Sequence, residues 1–361
     1  MIEVHGKYGE AIVFTQLLEP SAEKQIRTFC DRPQSENSKI RIMPDVHTGK
    51  GCVIGMTMTI TDQVIPNLVG VDIGCGMLTV KLKELDSVIR ANIPYGRNVR
   101  ERLHRSHGRL DIQKLCCFKK IDTRRALESL GSLGGGNHFI EVDTDGESLY
   151  LVIHTGSRNP GLRVAEYYQK IAYKECGGRT QTEIPYELAY LTGNAMQEYL
   201  HDMEIMQKFA DLNRTIIKEE ILDRLHLTEE SSFTTIHNYI DMEQMILRKG
   251  AVSAKEGERL LIPMNMRDGS LICTGLGNSD WNCSAPHGAG RRLSRKETMN
   301  NYTLHDFKES MKGIYPSSVS KNTIDECPMA YKPMDEILEN VRDTVRIDQV
   351  IKPVYNFKAS D

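Results

Sequence analysis

Residues 131–155 read GSLGGGNHFIEVDTDGESLYLVIHT and show what kind of fold to expect. The glycine-rich first part predicts a loop, and strand-like segments rich in apolar residues follow at His138–Val142 and Tyr150–Ile153. Similar short segments, bounded by glycine or proline on at least one side, occur at Ala11–Phe14, Ile40–Met43 and Cys52–Ile60. Pro66–Val80 contains a further strand broken by Gly70, Gly74 and Gly76, and Leu260–Ile262, Leu271–Thr274 and Ile351–Phe357 are also strand-like. The sequence therefore predicts many short strands joined by loops.

A long periodic segment supplies the helical part of the expected fold. Between Glu187 and Arg224, apolar residues recur mostly at steps of three and four, which predicts a helix with one buried stripe. A shorter helix is expected at Glu336–Val345. Because no repeat, linker or low-complexity run divides the chain, we expect one mixed α+β domain over residues 1–361.

Length and composition are those of an ordinary globular protein. Of 361 residues, 40% are apolar and 26% charged, and the formal net charge is −3. This balance argues against disorder and against a histone-like nucleic-acid binder, although it allows a local basic patch. No apolar run reaches the ~18 residues of a membrane span, and the N-terminus has no secretory signal. We therefore expect a cytoplasmic protein without membrane contact, whose cysteines are reduced.

Residues able to bind metals or phosphates are concentrated in short loops, most of them rich in glycine. Glycines beside His, Cys and Asp indicate that the backbone approaches a ligand closely. The loops are PDVHTGKG (44–51), GVDIGCGM (70–77), GGGNHFIE (134–141), HTGSR (154–158), HN (237–238) and SAPHGAGRRLSR (284–295). No single loop identifies a ligand, but together they predict a site for metal ions or phosphates.

One loop carries two donors suited to a metal. Asp72 and Cys75 lie three residues apart, so a turn could direct a carboxylate and a thiolate at the same point. Histidines of other loops could complete a set large enough for two ions: His138, His154 and His237. Soft donors favour zinc or another late metal, whereas oxygen donors and a phosphate substrate favour manganese or magnesium. The residues alone leave this choice open.

The loop around His287 has a different character. Its glycines precede Arg291, Arg292 and Arg295, and glycine amides together with guanidinium groups suit phosphate. His287 is therefore a candidate phosphate donor or nucleophile, since neutral imidazole is nucleophilic near pH 7. The other interpretation of this loop is a solvated basic surface.

At these residues the sequence resembles the RNA-splicing ligase RtcB family, which joins RNA ends with GTP. The resemblance rests on PDVHTGKG, GVDIGCGM, SLGGGNHFIE (132–141), HTGSR, HN, RKGA (248–251), HGAGRRLSR (287–295) and DECPMAYK (325–332). These segments follow the family's order over most of the chain, which is far more specific than one glycine-rich loop. The resemblance implies an α+β domain with antiparallel sheets flanked by helices around a dinuclear metal site.

The resemblance also implies roles for single residues. Cys75 would be a thiolate that bridges two Mn(II) ions. The further ligands would be Asp72 and His138 at one ion, and His154 and His237 at the other. His287 would be the nucleophile that accepts GMP. The positions at which the family binds the guanine nucleotide are Asn137, His138, Glu141, His237, Asn238, Pro263, Met264, Asn265, Met266, Ser270, His287, Gly288, Ala289, Gly290, Arg291 and Lys358.

The implied reaction has three steps. His287 attacks the α-phosphate of GTP, which gives a histidine–GMP phosphoramidate and pyrophosphate. An RNA 3′-phosphate, formed where necessary by opening a 2′,3′-cyclic phosphate, takes the GMP and becomes an RNA-3′-pp-5′-G end. The 5′-hydroxyl of a second RNA attacks this end and GMP leaves. The implied partners are these RNA ends and an archease-like activator, and we expect a monomer.

Some positions depart from the family pattern or have two interpretations. PMNMRDGS (263–270) stands where the family carries a Gly-Ser-Met-Gly stretch, which leaves the choice between guanine and adenine open. Asp241 stands where a glutamate is usual, and the chain continues beyond Lys358. Five arginines could hold an RNA backbone or simply face solvent: Arg97, Arg100, Arg102, Arg105 and Arg109.

Two other functions would use the same residues. A dinuclear metal-dependent phosphodiesterase would open cyclic phosphate ends without GTP and would form no nucleotide adduct. A non-catalytic protein that binds RNA ends would need neither the metal ligands nor a nucleophile. We expect the first function, a GTP- and Mn(II)-dependent ligase for 3′-phosphate and 5′-hydroxyl ends.

Overall fold

The computed structural model describes residues 1–80, 86–178, 184–316 and 319–358. The strands are β1 (Ile2–His5), β2 (Glu10–Val13), β3 (Ile40–His47), β4 (Ile54–Thr59), β5 (Gly76–Val80), β6 (Phe139–Thr144), β7 (Leu149–Thr155), β8 (Ser232–Ile236), β9 (Asn238–Asp241), β10 (Ile246–Lys249), β11 (Ala251–Ser253), β12 (Arg259–Asn265), β13 (Gly269–Gly275), β14 (Ser284–Pro286), β15 (Tyr315–Pro316) and β16 (Val345–Lys358). The helices are α1 (Pro20–Cys30), α2 (Pro66–Val69), α3 (Asp86–Asn92), α4 (Thr123–Glu128), α5 (Arg158–Glu175), α6 (Gly193–Leu225), α7 (Arg295–Asn301), α8 (Leu304–Ser310) and α9 (Met334–Asn340).

Within these ranges the strands form three sheets. One has the order β1-β2-β3-β4-β10-β9, a small one pairs β11 with β14, and the largest has the order β12-β13-β16-β6-β7-β5-β8 with β15 beside β16. Among the described strands, the β2–β3 and β15–β16 pairs are parallel and the other neighbours are antiparallel. The predicted fold class, α+β with antiparallel sheets flanked by helices, is confirmed.

The long helix α6 is the main support of the largest sheet. It packs against α5 and against strands β5 and β7. Its apolar residues, among them Met203, Phe209 and Ile216, are completely buried, as the periodic stripe predicted. None of the helices in the described ranges is long and apolar enough to cross a membrane.

The segment Pro66–Val80 differs from the predicted broken strand. Its first part is the short helix α2, since Pro66 occupies the first helical turn, where an N–H has no partner to lose. Gly70 ends this helix with φ +93°, and a tight turn then leads into β5.

The helix expected at Glu336–Val345 has different bounds. It ends at Asn340, because Val345 already pairs with β13 as the first residue of β16. The arginine-rich segment after Tyr95 forms a loop with a 3₁₀ turn at Arg105–Arg109.

Candidate active site

Asp72 and Cys75 lie in the tight turn before β5, as their spacing predicted. The Cys75 amide donates to the Asp72 carbonyl (3.1 Å) and closes the turn. The Gly74 amide donates to the Asn238 carbonyl (2.8 Å), which fixes this turn against the segment that carries His237. The turn thereby places a carboxylate and a thiol beside the ends of three neighbouring strands.

The three predicted histidine ligands converge on the Cys75 sulfur. His138 immediately precedes β6, His154 lies in the adjacent β7, and His237 joins β8 to β9. The Cys75 Sγ lies 3.6 Å from His138 Nε2 and 3.2 Å from His154 Nε2. The ring of His237 is 5.2 Å from that of His154. Residues far apart in the chain therefore surround one buried thiol.

These side chains form two groups of potential metal ligands that share Cys75. One consists of Asp72, Cys75 and His138, and the other of Cys75, His154 and His237, with the donor atoms of each group within 4.8 Å of one another. In the first group Asp72 Oδ2 lies 2.8 Å from His138 Nε2. The division coincides with the one implied by the resemblance, and a sulfur common to both groups suits a bridging ligand.

The electrostatics of the cluster suit a divalent metal. Burial lowers the pKa of His154 and of His237 well below the ordinary value, so both imidazoles are neutral and offer a lone pair. Burial raises the pKa of Asp72, but His138, Cys75 and Arg158 outweigh this effect, and the pKa of the carboxyl lies below its usual value. Asp72 Oδ1 is buried without a hydrogen-bond partner in the described part of the chain. Thiolate, imidazole and carboxylate donors therefore fit a pair of metal ions.

Two polar residues of α6 hold the loops that carry these ligands. The completely buried Arg214 donates through Nη1 to the carbonyls of Gly74 (2.8 Å) and Thr155 (3.0 Å). Asn213 accepts from the amides of Gly131 and Ser132 and donates to the Gly156 carbonyl. The helix thus connects the Cys75 turn, the glycine-rich loop before His138 and the loop after His154.

His287 lies next to the second ligand group. Its ring is 5.0 Å from the ring of His237. Its Nδ1 lies 2.7 Å from Oδ2 of Asp45, a completely buried carboxyl at the end of β3. A carboxylate oxygen only accepts, so this contact places the proton on Nδ1 and leaves the Nε2 lone pair free. The imidazole therefore has the tautomer that a nucleophile needs.

The loop of His287 approaches β3 so closely that it requires glycine. Gly290 has φ +73°, and a Cβ at this position would overlap the carbonyl of Asp45. A side chain there would push the loop away from Asp45 and with it the ring of His287. The glycines after His287 thus serve close packing against the residue that orients it.

A cavity of about 290 Å³ opens beside His154, His237 and His287. Small-molecule sites usually have volumes of ~300–1,000 Å³, so this one is near the lower end. The predicted nucleotide residues that line it are Asn137, Glu141, His237, Pro263, Met264, Asn265, Met266, His287, Gly288, Ala289, Gly290, Arg291 and Lys358. The cavity is also lined by His47, Met77, Phe139, His154, Arg295, Glu326, Tyr331 and Asn356.

The wall formed by β6 and β16 carries two of the cavity's charged residues, Glu141 and Lys358. Asn356 is the register partner of Glu141, and its Nδ2 donates to Glu141 Oε2. The Lys358 ammonium lies 2.5 Å from Oε2 of the buried Glu326. Burial raises the pKa of Glu326, but Lys358 and Arg295 outweigh it and lower the pKa to about 2. Glu326 is therefore an anion that fixes Lys358 at the cavity wall.

Comparison with known proteins identifies the family to which this chain belongs. The family described as tRNA-splicing ligase RtcB matches residues 25–107 and 88–359 of the chain. The RNA-splicing ligase RtcB of Escherichia coli K12 is 32% identical over 87% of this chain and 88% of its own length. The chain belongs to the RtcB family. Further RtcB relatives are the tRNA-splicing ligases of Aeropyrum pernix (29% identical, 82% of this chain and 83% of the relative) and Methanococcus maripaludis (26% identical, 93% and 90%).

The first ligand group of this RtcB chain lines a second opening, a groove separate from the cavity. Asp72 and His138 line it together with Arg97, Arg125 and Arg158. Arg158 has a backbone φ of +55°, which residues other than glycine rarely adopt. Its guanidinium donates hydrogen bonds to the Ser132 hydroxyl and to the Gly96 carbonyl. One group of potential metal ligands therefore borders the cavity and the other borders the basic groove.

The five arginines that the sequence offered for RNA binding divide into separate sets. Arg100 donates to the carbonyls of Leu130 and Gly131 and has a structural role. Arg105 pairs with Asp223 (3.0 Å) and Arg109 with Glu219 (3.0 Å) on the exposed side of α6. Arg97 lines the groove, whereas Arg102 lines a separate surface pocket with Arg105.

Several predicted nucleotide residues lie where they act indirectly. Within the described part of the chain, Asn238 accepts from the Gly250 amide (2.9 Å), and Ser270 is completely buried in β13; neither is among the cavity-lining residues. Arg291 lines the cavity, but its guanidinium donates to the carbonyls of Leu293 (3.0 Å) and Asp325 (2.6 Å) and so holds its own loop.

Asp241, which stands where the family usually has a glutamate, lies away from the ligands. Its Oδ2 pairs with Lys255 (3.0 Å) and Arg248 (3.6 Å), and its Oδ1 caps the turn after β9. Asp241 thus stabilises the β9–β10 connection.

A third group of metal-competent side chains, Cys116, His201 and Asp202, has a structural explanation. The Asp202 carboxylate accepts from the amides of Cys116 (2.7 Å) and Cys117 (3.0 Å) and from the hydroxyl of Tyr168 (2.8 Å). The ring of His201 contacts the Lys114 carbonyl (3.1 Å). The group therefore fixes the loop after Asp111 to α6.

Sequence reasoning missed residues that position the side chains and loops of the site. Asp45 lies inside the PDVH segment and Arg158 ends the HTGSR segment, but neither motif indicates what these two side chains contact. Asn213 and Arg214 had a signal, since they are polar residues within the periodic helix and lie at buried positions. Polar groups at buried positions require partners, and here those partners are the site loops.

Proposed function

We propose that this chain is a GTP- and Mn(II)-dependent RNA ligase that joins RNA 3′-phosphate or 2′,3′-cyclic phosphate ends to 5′-hydroxyl ends. The observation that carries the proposal is the position of His287, which lies at the border of the cavity and the second ligand group and is oriented by Asp45. An oriented imidazole between metal donors and a cavity with basic walls suits nucleotidyl transfer.

The first step uses the free Nε2 of His287. This atom attacks the α-phosphorus of GTP, an N–P bond forms, and the bond from that phosphorus to the bridging oxygen of the β-phosphate breaks as pyrophosphate leaves. The ring becomes positively charged while Nδ1 keeps its proton, and the buried Asp45 carboxylate stabilises that charge. A divalent metal pair bound by the Cys75 cluster would supply charge neutralisation for the phosphate oxygens.

The later steps need two phosphate-bearing ends at the same place. The basic groove beside Asp72 and His138 carries Arg97, Arg125 and Arg158, which suit the phosphates of an RNA end. An RNA 3′-phosphate attacks the phosphorus of the His287 adduct, which releases Nε2 and forms the RNA-3′-pp-5′-G end. The 5′-hydroxyl then attacks the RNA phosphorus and GMP leaves.

The proposal is tested with two short RNAs, one ending in a 2′,3′-cyclic phosphate and the other beginning with a 5′-hydroxyl. The purified protein should join them with GTP and Mn(II) and should fail with either omitted. His287→Ala should abolish joining. Opening of the cyclic phosphate without GTP, with no joining under any condition, would instead show a metal-dependent phosphodiesterase and contradict the proposal.

A further inference from the structure

A second carboxyl lies beside Glu141 beneath the cavity. Glu141 and Asp143 are two residues apart in β6, so their side chains lie on the same face of the sheet. Glu141 is 3% exposed and Asp143 is completely buried. Glu141 lines the cavity, whereas Asp143 is not among its lining residues. Two acidic side chains are therefore stacked from the cavity wall into the core.

The surroundings of the two carboxyls differ. Glu141 accepts a hydrogen bond from Asn356 and lies near the Lys358 ammonium, both on β16. Neither oxygen of Asp143 accepts an N–H or O–H bond from a described group. The polar groups beside Asp143 are the Glu141 carboxyl and the hydroxyl of Ser270 on β13. Glu141 therefore has an amide donor and an ammonium group suited to a negative charge, whereas Asp143 has the Ser270 hydroxyl as a potential donor and no cation beside it among the described groups.

Two adjacent carboxyls in a buried position do not both ionise readily, because burial disfavours each charge and the two like charges repel one another. Burial and the neighbouring Glu141 raise the pKa of Asp143 well above its usual value. Burial also raises the pKa of Glu141, but Asn356, Asp143 and Lys358 oppose this effect, and the resulting pKa is about 7. The proton of the pair therefore belongs to Asp143.

We propose that Asp143 is a positioning residue that, as a neutral carboxylic acid, donates its O–H to Glu141 and holds Glu141 as an anion facing the base of the bound guanine nucleotide. This inference rests on the proposed function. The Watson–Crick edge of guanine offers N1–H and N2–H donors to a carboxylate, whereas adenine offers an acceptor at N1. Asp143 would thus contribute to the choice of guanine over adenine without touching the base.

The remaining charged groups near Glu141 fit this arrangement. Lys358 faces it from β16, and Glu326, which follows the His287 loop in the chain, neutralises Lys358. Arg295 pairs with Glu326 at 2.6 Å, and the Tyr331 hydroxyl donates to the same carboxylate at 2.5 Å. Because Lys358 is already paired, the O–H of Asp143 is an important additional support for a charge on Glu141.

The experiment compares two variants of nearly equal volume. Asp143→Asn keeps a neutral donor toward Glu141, and Asp143→Leu removes it. The His287 adduct is measured with GTP, with ITP, which lacks the N2 amino group, and with ATP, between pH 6 and 8.5. We expect Asp143→Leu to raise KM for GTP roughly tenfold and to reduce the preference for GTP over ITP and ATP. Asp143→Asn should keep a KM for GTP and a preference for GTP over ITP and ATP close to those of the wild type.

The pH profile separates this role from a purely structural one. Protonation of Glu141 removes its capacity to accept two bonds, so KM for GTP should rise as the pH falls below about 7 in the wild type. Without the donor at position 143 the pKa of Glu141 rises. The rise in KM for GTP should therefore begin at a higher pH in Asp143→Leu but not in Asp143→Asn. Equal KM values, equal base preference and unchanged profiles in folded Asp143→Leu would overturn the inference.

A spectroscopic measurement keeps this test independent of the ligase reaction. The infrared difference spectrum of wild type minus Asp143→Asn should contain the carbonyl stretch of a protonated carboxylic acid at pH 7.5. A carboxylate band in its place would refute a neutral Asp143 whatever the activity. Failure of the wild type to form an adduct with any nucleotide, with the acid band present, would instead count against the proposed function.

Discussion

The Nδ1 of His287 lies 2.7 Å from Oδ2 of Asp45, although 242 residues separate the two in the chain. Asp45 is completely buried, and its other oxygen has no partner among the described groups. The bond therefore serves His287 and fixes both the direction of the ring and the position of its proton.

Replacing Asp45 by asparagine should slow guanylylation. The amide can donate to Nδ1 and so favours the tautomer with its proton on Nε2, the atom that must attack. We expect the rate of adduct formation to fall roughly 10²-fold or more, with metal content unchanged. The rate is measured by quenched-flow labelling with GTP, and an unaltered rate would show that Asp45 does not set the tautomer.

Removing the shared thiol should affect both ligand groups at once. Cys75→Ala should lower the metal content per chain, because the same sulfur belongs to both groups. Elemental analysis after dialysis measures this, with the exposed Cys116→Ala as the matched control that keeps its metal. If Cys75→Ala still holds as much metal as the wild type, Cys75 is not a bridging ligand.

The buried guanidinium of α6 should matter for both stability and metal binding. Arg214→Met leaves the carbonyls of Gly74 and Thr155 without their donor and should lower the free energy of unfolding by about 3 kcal/mol. Lys208→Ala on the same helix removes an exposed pair with Glu204 and should cost about 0.5 kcal/mol or less. Urea unfolding measures the free energy of unfolding of both variants. Similar decreases in the two variants would show that Arg214 does not stabilise the loops that it contacts.

The basic groove should contribute to RNA binding but not to guanylylation. Arg125→Ala should weaken binding of a 3′-phosphorylated RNA and reduce the salt slope of log K by about 1. Arg105→Ala, an equally exposed arginine already paired with Asp223, is the control and should change the slope little. Fluorescence anisotropy at several salt concentrations measures the RNA affinity and the salt slope of each variant. A loss of adduct formation in Arg125→Ala would place this arginine in the nucleotide step instead.

Sequence reasoning recovered the residues whose chemistry is visible in a short motif. Asp72 and Cys75 are near neighbours in the chain, and glycine-rich loops mark His138 and His287, so the sequence alone makes each of them a candidate. The family resemblance then assigned Asp72, Cys75 and His138 to a ligand group and His287 to the role of nucleophile. The fold brings the three ligand candidates together and places His287 beside His237. The strand and helix patterns likewise predicted β6, β7 and α6 within a few residues.

The missed features depend on contacts between distant segments. Nothing in the local sequence connects Asp45 to His287, or Arg214 to the Cys75 turn, because those pairs meet only when β3, β14 and α6 pack. The sequence predicts a strand within Pro66–Val80, but at Pro66–Val69 the fixed φ of Pro66 and the positive φ of Gly70 favour a helical turn, and the strand begins at Gly76. Tertiary packing thus determined the details that local patterns left open.

The central claim is that His287 accepts GMP, and mapping the adduct tests it most directly. The protein is incubated with GTP and Mn(II), digested at neutral pH to preserve the N–P bond, and analysed by peptide mass spectrometry. We predict one acid-labile GMP on the peptide that contains His287, and no GMP on that peptide in His287→Asn. GMP bound to another residue, or an equal yield of adduct in His287→Asn, would contradict the account.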